Sequence, residues 1–345
     1  MGDWRRSITA PIFLIVSLLP GCARIAPLPS PAPRPEAPPV VAPVATVRPN
    51  PVSRPTEGTI SGGAGNLYVH IVGSGADTVL VPLASWLEPG LIQLGQRHTV
   101  VFYDPRHRGR SHELTDTTAA TFDGDVADLE AVRVALGASR VAVIGYDYYA
   151  AVAAAWAAQN PRAVSRLVLL SPMEPHDSLA RRWNPAERMA RIDTTAARAL
   201  VKARAAGRDT TDATAYCEEF WRVNAMVFLG DISRDTRRPD WCRLPNEMPP
   251  RIANAAGRAL ASLGPDVDVG ARAASVVAPT LVMHGMLDLV ANPEGAREWT
   301  RRINGARLLW MGNVGHLPFL EDSQAVLEAI TEFLAGNWPT RAGPP

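Results

Sequence analysis

The stretch Val141-Ala-Val-Ile-Gly145-Tyr146-Asp147-Tyr148-Tyr149-Ala150-Ala151 constrains this chain more than any other. Its short apolar run predicts a buried strand, and the alanine-rich segment after it, ending near Asn160-Pro161, predicts a helix. Only a sharp turn can join the two. Such a turn lifts one side chain above the sheet edge and aims it at a helix N-terminus, where backbone amides converge. The raised residue is Asp147. Two positions on, Tyr149 places bulk where close strand–helix approach favours glycine, so it is expected to press the helix away from the turn.

Around this corner, apolar β runs alternate with helical stretches, the grammar of βαβ units and a parallel sheet. Strands are predicted within Gly58–Gly73 (two, joined at Gly62-Gly63), at Thr78–Pro82, Thr99–Tyr103 and Ser165–Leu170, in the Ala278–Asp288 run, and at Ala306–Met311. Helices are predicted at Leu87–Gln96, Asp123–Leu136 and Asp322–Leu334. Between His176 and about Ala274 the pattern is helical throughout, at Ala186–Gly207, Thr211–Phe228 and Met248–Leu263. The chain therefore divides into an α/β core over 57–175 and 275–338 and a helical insertion over 176–274.

The N-terminus has a different grammar. Arg5-Arg6 precedes an apolar run from Ile8 to Leu19 that ends Leu19-Pro20-Gly21-Cys22. About twelve apolar residues are too few to span a bilayer, whereas a basic start before a short apolar core reads as an export signal over 1–22. Residues 23–56 follow, proline-rich and without glycine or aromatics up to Thr56. Such a stretch buries too little to offset its ordering entropy and reads as a polyproline tether reaching up to roughly 100 Å. In an oxidising compartment Cys217 and Cys242 are a candidate disulfide, the alternative being two buried thiols. Neither has a partner at zinc-ligand spacing, so no metal is expected, and the reading requires no cofactor. A net charge of +1 and the lack of a basic, aromatic-interleaved stripe exclude a nucleic-acid partner.

Several motifs carry a family resemblance. Tyr103-Asp-Pro-Arg-His-Arg-Gly-Arg-Ser111 resembles the Tyr-Asp-x-Arg-x-x-Gly-x-Ser turn of many α/β-hydrolases. Asp288 ends His284-Gly-Met-Leu-Asp288, and His316 opens Gly-His-Leu-Pro-Phe-Leu-Glu321. The corner resembles the nucleophile elbow of that superfamily, normally Gly-x-Ser-x-Gly. Across 58–335 the chain is similar to the proline iminopeptidase-like branch, with support from Asp240–Glu247 and Ala261–Gly264 of the insertion. The resemblance implies an α/β-hydrolase fold: a mostly parallel eight-stranded sheet flanked by helices, with a helical cap. It implies the triad Asp147, His316 and Asp288, and oxyanion-hole amides from Leu83 or Ala84 and from Tyr148. The Leu19–Cys22 ending resembles the lipobox of bacterial lipoproteins. This implies acylation of Cys22 and a lipid-anchored domain in the bacterial cell envelope, outside the cytoplasm.

Two departures matter. The nucleophile position holds Asp147, and Val81–Trp86 lacks the usual His-Gly or Asn-Gly. A carboxylate attacks amides poorly, because the mixed anhydride would revert by expelling carboxylate, but it displaces leaving groups at saturated carbon to give an ester that His-activated water hydrolyses. Dehalogenases and epoxide hydrolases of this fold use that arrangement. The reading is thus a hydrolase of a small, largely apolar substrate. Tyr146, Tyr149, Trp86, Tyr216, Glu219 and Trp221 are pocket candidates, with Trp183 and Trp241 as packing or lining residues. Glu218, Glu219 and Glu247 either meet a substrate amine or form solvated faces and a cap–core salt bridge. His284 is expected to satisfy backbone groups, and His107 and His112 to lie on the surface. The opposing reading is a catalytically inactive hydrolase-fold lipoprotein that binds a ligand or a protein.

Overall fold

The computed structural model describes residues 56–344 apart from residue 64 and segments 114–115, 177–189, 238 and 265–266. The signal, Cys22, nearly all of the tether and Trp183 lie outside the described residues. The strands are β1 (Glu57–Gly62), β2 (Gly65–Val72), β3 (Thr78–Pro82), β4 (Thr99–Tyr103), β5 (Val141–Tyr146), β6 (Val164–Leu170), β7 (Thr280–Gly285) and β8 (Arg307–Met311). They form one eight-stranded sheet in the order β1-β2-β4-β3-β5-β6-β7-β8. β2 runs antiparallel to β1 and β4, and the remaining neighbours are parallel. β5 and β7 are buried along their whole length, as strands covered on both faces must be. The strand order reverses between β3 and β5, and a crevice opens there beyond their carboxyl ends.

The helices follow from local chemistry. α1 (Ala84–Leu91) starts three residues earlier than predicted, because Leu83 takes the left-handed conformation (φ 67°, ψ 55°) and turns the chain directly off β3. Pro89 has no N–H for the Ser85 carbonyl one turn back; the Trp241 indole N–H fills that place at 3.0 Å, and the chain continues as a 3₁₀ turn over Ile92–Gln96. α2 (Phe122–Ala135) is capped by Thr121, whose hydroxyl accepts from the Gly124 amide, with Asp123 and Asp125 in its first turn. α3 (Tyr148–Gln159) is buried from Tyr148 to Ala157, and its small side chains let it lie close on the sheet. A Cβ on Gly145 would sit 2.5 Å from the Tyr149 carbonyl oxygen. Tyr149 therefore does not hold the helix away: Gly145 provides the close approach, and the Tyr149 side chain projects elsewhere.

Between β6 and β7 lie α4 (Thr194–Ala205), α5 (Arg208–Thr211), α6 (Ala213–Phe228) and α7 (Pro249–Ala261), joined by short 3₁₀ turns. Cys217 of α6 is disulfide-bonded to Cys242, which fastens the segment carrying Trp241 and Glu247. Three helices follow the insertion: α8 (Pro293–Arg302), α9 (Pro318–Glu321) and α10 (Ser323–Leu334). α8 was not anticipated from the sequence. Its start is marked by Asn292, whose side chain accepts from the Glu294 amide, and by Pro293 in its first turn.

Candidate active site

Backbone strain marks the carboxyl rim of the sheet. Among the described residues, the non-glycine residues with positive φ are Leu83 after β3, His107 beyond β4, Asp147 after β5, Ser171 after β6 and Asn313 beyond β8. Asp147 is the extreme case at φ 49° and ψ −122°, a conformation that persists only where its surroundings impose it. The strand before it is locked in the sheet and the helix after it is packed on Gly145, so the single joining residue absorbs the change of direction. Its side chain keeps 39% of its surface exposed.

His316 is positioned from three sides. Its amide donates to the Phe228 carbonyl at 2.6 Å. Gly315 and Gly230 donate their amides to the two oxygens of Glu321, at 2.8 and 2.7 Å. Gly285 gives the passage: a Cβ there would meet the Gly315 carbonyl at 2.1 Å. His316 Nδ1 lies 2.8 Å from Asp288 Oδ2, while Asp288 Oδ1 accepts from the amides of Val290 and Ala291 at 2.8 and 2.9 Å. His316 Nε2 faces Asp147 Oδ1 at 3.9 Å. Three residues from distant parts of the chain thus converge as carboxylate, imidazole and carboxylate.

The electrostatics follow from this packing. Burial would lower the basicity of His316, but the Asp288 carboxylate outweighs it and Asp147 adds to the effect, so the imidazole pKa is raised. Burial would likewise raise Asp288, yet His316 holds it below the usual carboxylate range. Asp147 is raised by the desolvating walls of its corner, moderated chiefly by His316. His284 lies behind the acid, its Nε2 3.5 Å from Asp288 Oδ2.

A cavity of about 80 Å³ opens beside Asp147, walled by Leu83, Trp86, Tyr146, Tyr148 and Tyr149 from the core and by Ile252, Ala255, Ala256 and Ala259 of α7. Ala84 lies just outside this wall at the start of α1. Asp104 sets that corner by accepting from the amides of Ser85 (2.8 Å) and Arg110 (2.9 Å), so the arginine-rich turn scaffolds the segment carrying Leu83 and Ala84. Arg106 is held by both oxygens of Asp128, each at 2.6 Å. Arg108 reaches across to the insertion, pairing with both oxygens of Glu247 at 3.0 and 2.8 Å. Glu247 also accepts from the Gly109 amide and the Trp86 indole, and Trp241 stacks on Trp86 at 3.9 Å. Glu247 is therefore a cap–core ion pair.

Other expectations are corrected. Tyr216 and Glu219 line a separate groove on α4 and α6, not this cavity. Glu219 pairs with Arg222 at the surface, and Glu218 is exposed. Trp221 packs in an aromatic cluster, its ring centre 4.9 Å from Trp241 and 6.0 Å from Trp86. His107 is buried and lines the cavity, whereas His112 is exposed. Asp125, which the sequence did not single out, also reaches the cavity wall. It accepts from the Tyr148 hydroxyl at 2.7 Å, and burial pushes its pKa up to about 7. Among the described residues no group of three or more His, Cys, Asp or Glu is placed to hold a metal ion.

A profile of the alpha/beta hydrolase fold matches residues 60–323. The chain belongs to the alpha/beta hydrolase family. The chain is 23% identical to the proline iminopeptidase of Heyndrickxia coagulans over 256 residues, which cover 71% of this chain and 84% of that one. Its fold is shared with the epoxide hydrolase CorEH (TM-score 0.62, 20% identity, 81% of this chain and 98% of that one). It is shared also with the enol-lactonase of Burkholderia xenovorans LB400 (TM-score 0.59, 18% identity, 81% and 100%).

Proposed function

We propose that this alpha/beta hydrolase opens or displaces a polar bond at a saturated carbon of a small, largely apolar substrate, through an ester on Asp147. The observation that carries the reading is the strained Asp147 corner, with its carboxylate exposed to a cavity and 3.9 Å from His316 Nε2. A carboxylate oxygen attacks the carbon and the leaving group departs with the bonding electrons. Esterification then removes the negative charge that had helped to raise His316. The imidazole becomes less basic and, where it carried a proton, gives it up more readily. Neutral His316, oriented by Asp288, next takes a proton from water as the water attacks the ester carbonyl. The Tyr148 amide, at the N-terminus of α3 next to Asp147, stabilises the oxyanion.

Iminopeptidase chemistry, the activity named for the Heyndrickxia relative, does not suit this nucleophile. A carboxylate adding to an amide gives an intermediate that expels carboxylate faster than amine. The test is trapping. His316→Ala should form the ester without hydrolysing it, so intact mass after incubation with small epoxides and alkyl halides should rise by one substrate, and peptide mapping should place the adduct on Asp147. No adduct with any probe, alongside tight binding of a small apolar ligand, would replace this reading with a binding role.

A further inference from the structure

The cavity wall carries several side chains that could stabilise a departing group, and most are already engaged. The Trp86 indole N–H donates to Glu247. Arg108 is paired with both oxygens of Glu247 and Arg106 with both oxygens of Asp128. The Tyr148 hydroxyl donates to Asp125, and the Tyr149 ring lies under the Arg108 guanidinium, 5.8 Å from its centre. Tyr146 is different. It is 2% exposed and lines the cavity, and its hydroxyl is buried with no hydrogen-bond partner among the described residues. Its ring packs between His316 (5.2 Å between ring centres), Phe319 (5.1 Å) and Trp86 (6.2 Å). A phenol buried without a partner forgoes the hydrogen bonds that water gave it, which bound substrate can restore.

The two candidate leaving groups differ in what they need. A halide leaves as a stable anion and requires fixed N–H dipoles. An alkoxide is a strong base and requires a proton as the C–O bond breaks. Here the side-chain N–H groups are turned to carboxylates, and an unpartnered O–H remains.

Resting on the ester mechanism above, we propose that Tyr146 is the catalytic acid and that the substrate is a small epoxide or similarly strained cyclic ether. Asp147 bonds to one ring carbon, the C–O bond breaks, and the oxygen takes the Tyr146 proton to become a hydroxyl. Hydrolysis of the ester releases the diol and one proton, first held by His316, which restores the phenol. Water and substrate account for every atom. Burial of Tyr146 and its proximity to Asp147 hold the phenol protonated before attack.

The experiment uses the full chain in the His316→Ala background, with 3,4-epoxy-1-butene and allyl bromide as matched probes. Labelling of Asp147 is followed by mass. Adding Tyr146→Phe should slow epoxide labelling roughly 10²–10³-fold, the usual worth of a positioned acid, and leave bromide labelling within about threefold. Tyr216→Phe, whose side chain lies in the separate groove on α4 and α6, should leave both within about threefold. Equal slowing of both probes by Tyr146→Phe would make Tyr146 a packing residue and overturn the proposal. So would an unchanged epoxide rate, or a loss of the epoxide reaction in Tyr149→Phe instead. Labelling by bromide alone in the His316→Ala parent would overturn the substrate class while sparing the ester mechanism, and labelling by neither would overturn both.

Discussion

Asp125 shows how one side chain links folding to pH. Buried beneath the Tyr148 hydroxyl, it has its pKa pushed up to about 7, while the unfolded chain leaves it near 3.8. Between those values the native state binds the extra proton, so this group's contribution to stability is greatest below about pH 4 and is lost as pH rises to about 7. Asp125→Asn removes the titration. The stability of wild type relative to the variant should therefore fall by on the order of 2–4 kcal/mol between pH 4 and pH 8. Urea midpoints at the two pH values measure it, and parallel pH profiles would exclude the effect. The same residue-scale logic governs Asp288 and His316, which stabilise each other's charged forms.

At the scale of elements, the strand–turn–helix from β5 to α3 depends on Gly145. A Cβ there would lie 2.5 Å from the Tyr149 carbonyl oxygen and 2.7 Å from Ala150 Cα, and backbone can yield only by moving the helix. Gly145→Ala should cost about 1–3 kcal/mol by overpacking, read from the denaturation midpoint. Because the displaced helix carries the Tyr148 amide, hydrolysis of the ester on Asp147 should slow as well. An unchanged midpoint would mean that α3 relaxes freely. The corner therefore stores its strain in Asp147 because its two flanks are held rigidly.

At the scale of the whole described unit, the insertion is fixed over the sheet by a few specific contacts. The Cys217–Cys242 bond, joining residues 25 positions apart, holds the segment that delivers Trp241 to Trp86 and Glu247 to Arg108. Trp241 also fills the carbonyl that Pro89 leaves without its helical donor. Replacing both cysteines by alanine should lower stability by about 3 kcal/mol, in line with a closed loop of this length. It should also expose the insertion to proteolysis before the sheet. Equal midpoints for the two proteins would show that the latch residues suffice without the covalent bond.

Much of this was legible in the sequence, because sheet position and corner geometry follow from local patterns. The apolar runs fixed β3 and β4 to the residue, and the motifs around Asp288 and His316 foretold which side chains meet. The α8 start was also written there, in Asn292-Pro293, and was not recognised. What lines the cavity was decided only by tertiary packing. Glu219 and Glu247 look alike in a helical insertion, yet one pairs with Arg222 in solvent and the other is buried against Arg108. His107 reads as a loop residue until the α7 residues close over it. Likewise, nothing local to Tyr146 reveals that its hydroxyl lacks a partner. Periodicity reports which face of an element is apolar, because neighbours in sequence set it; whether a buried polar atom is satisfied depends on groups a hundred residues away.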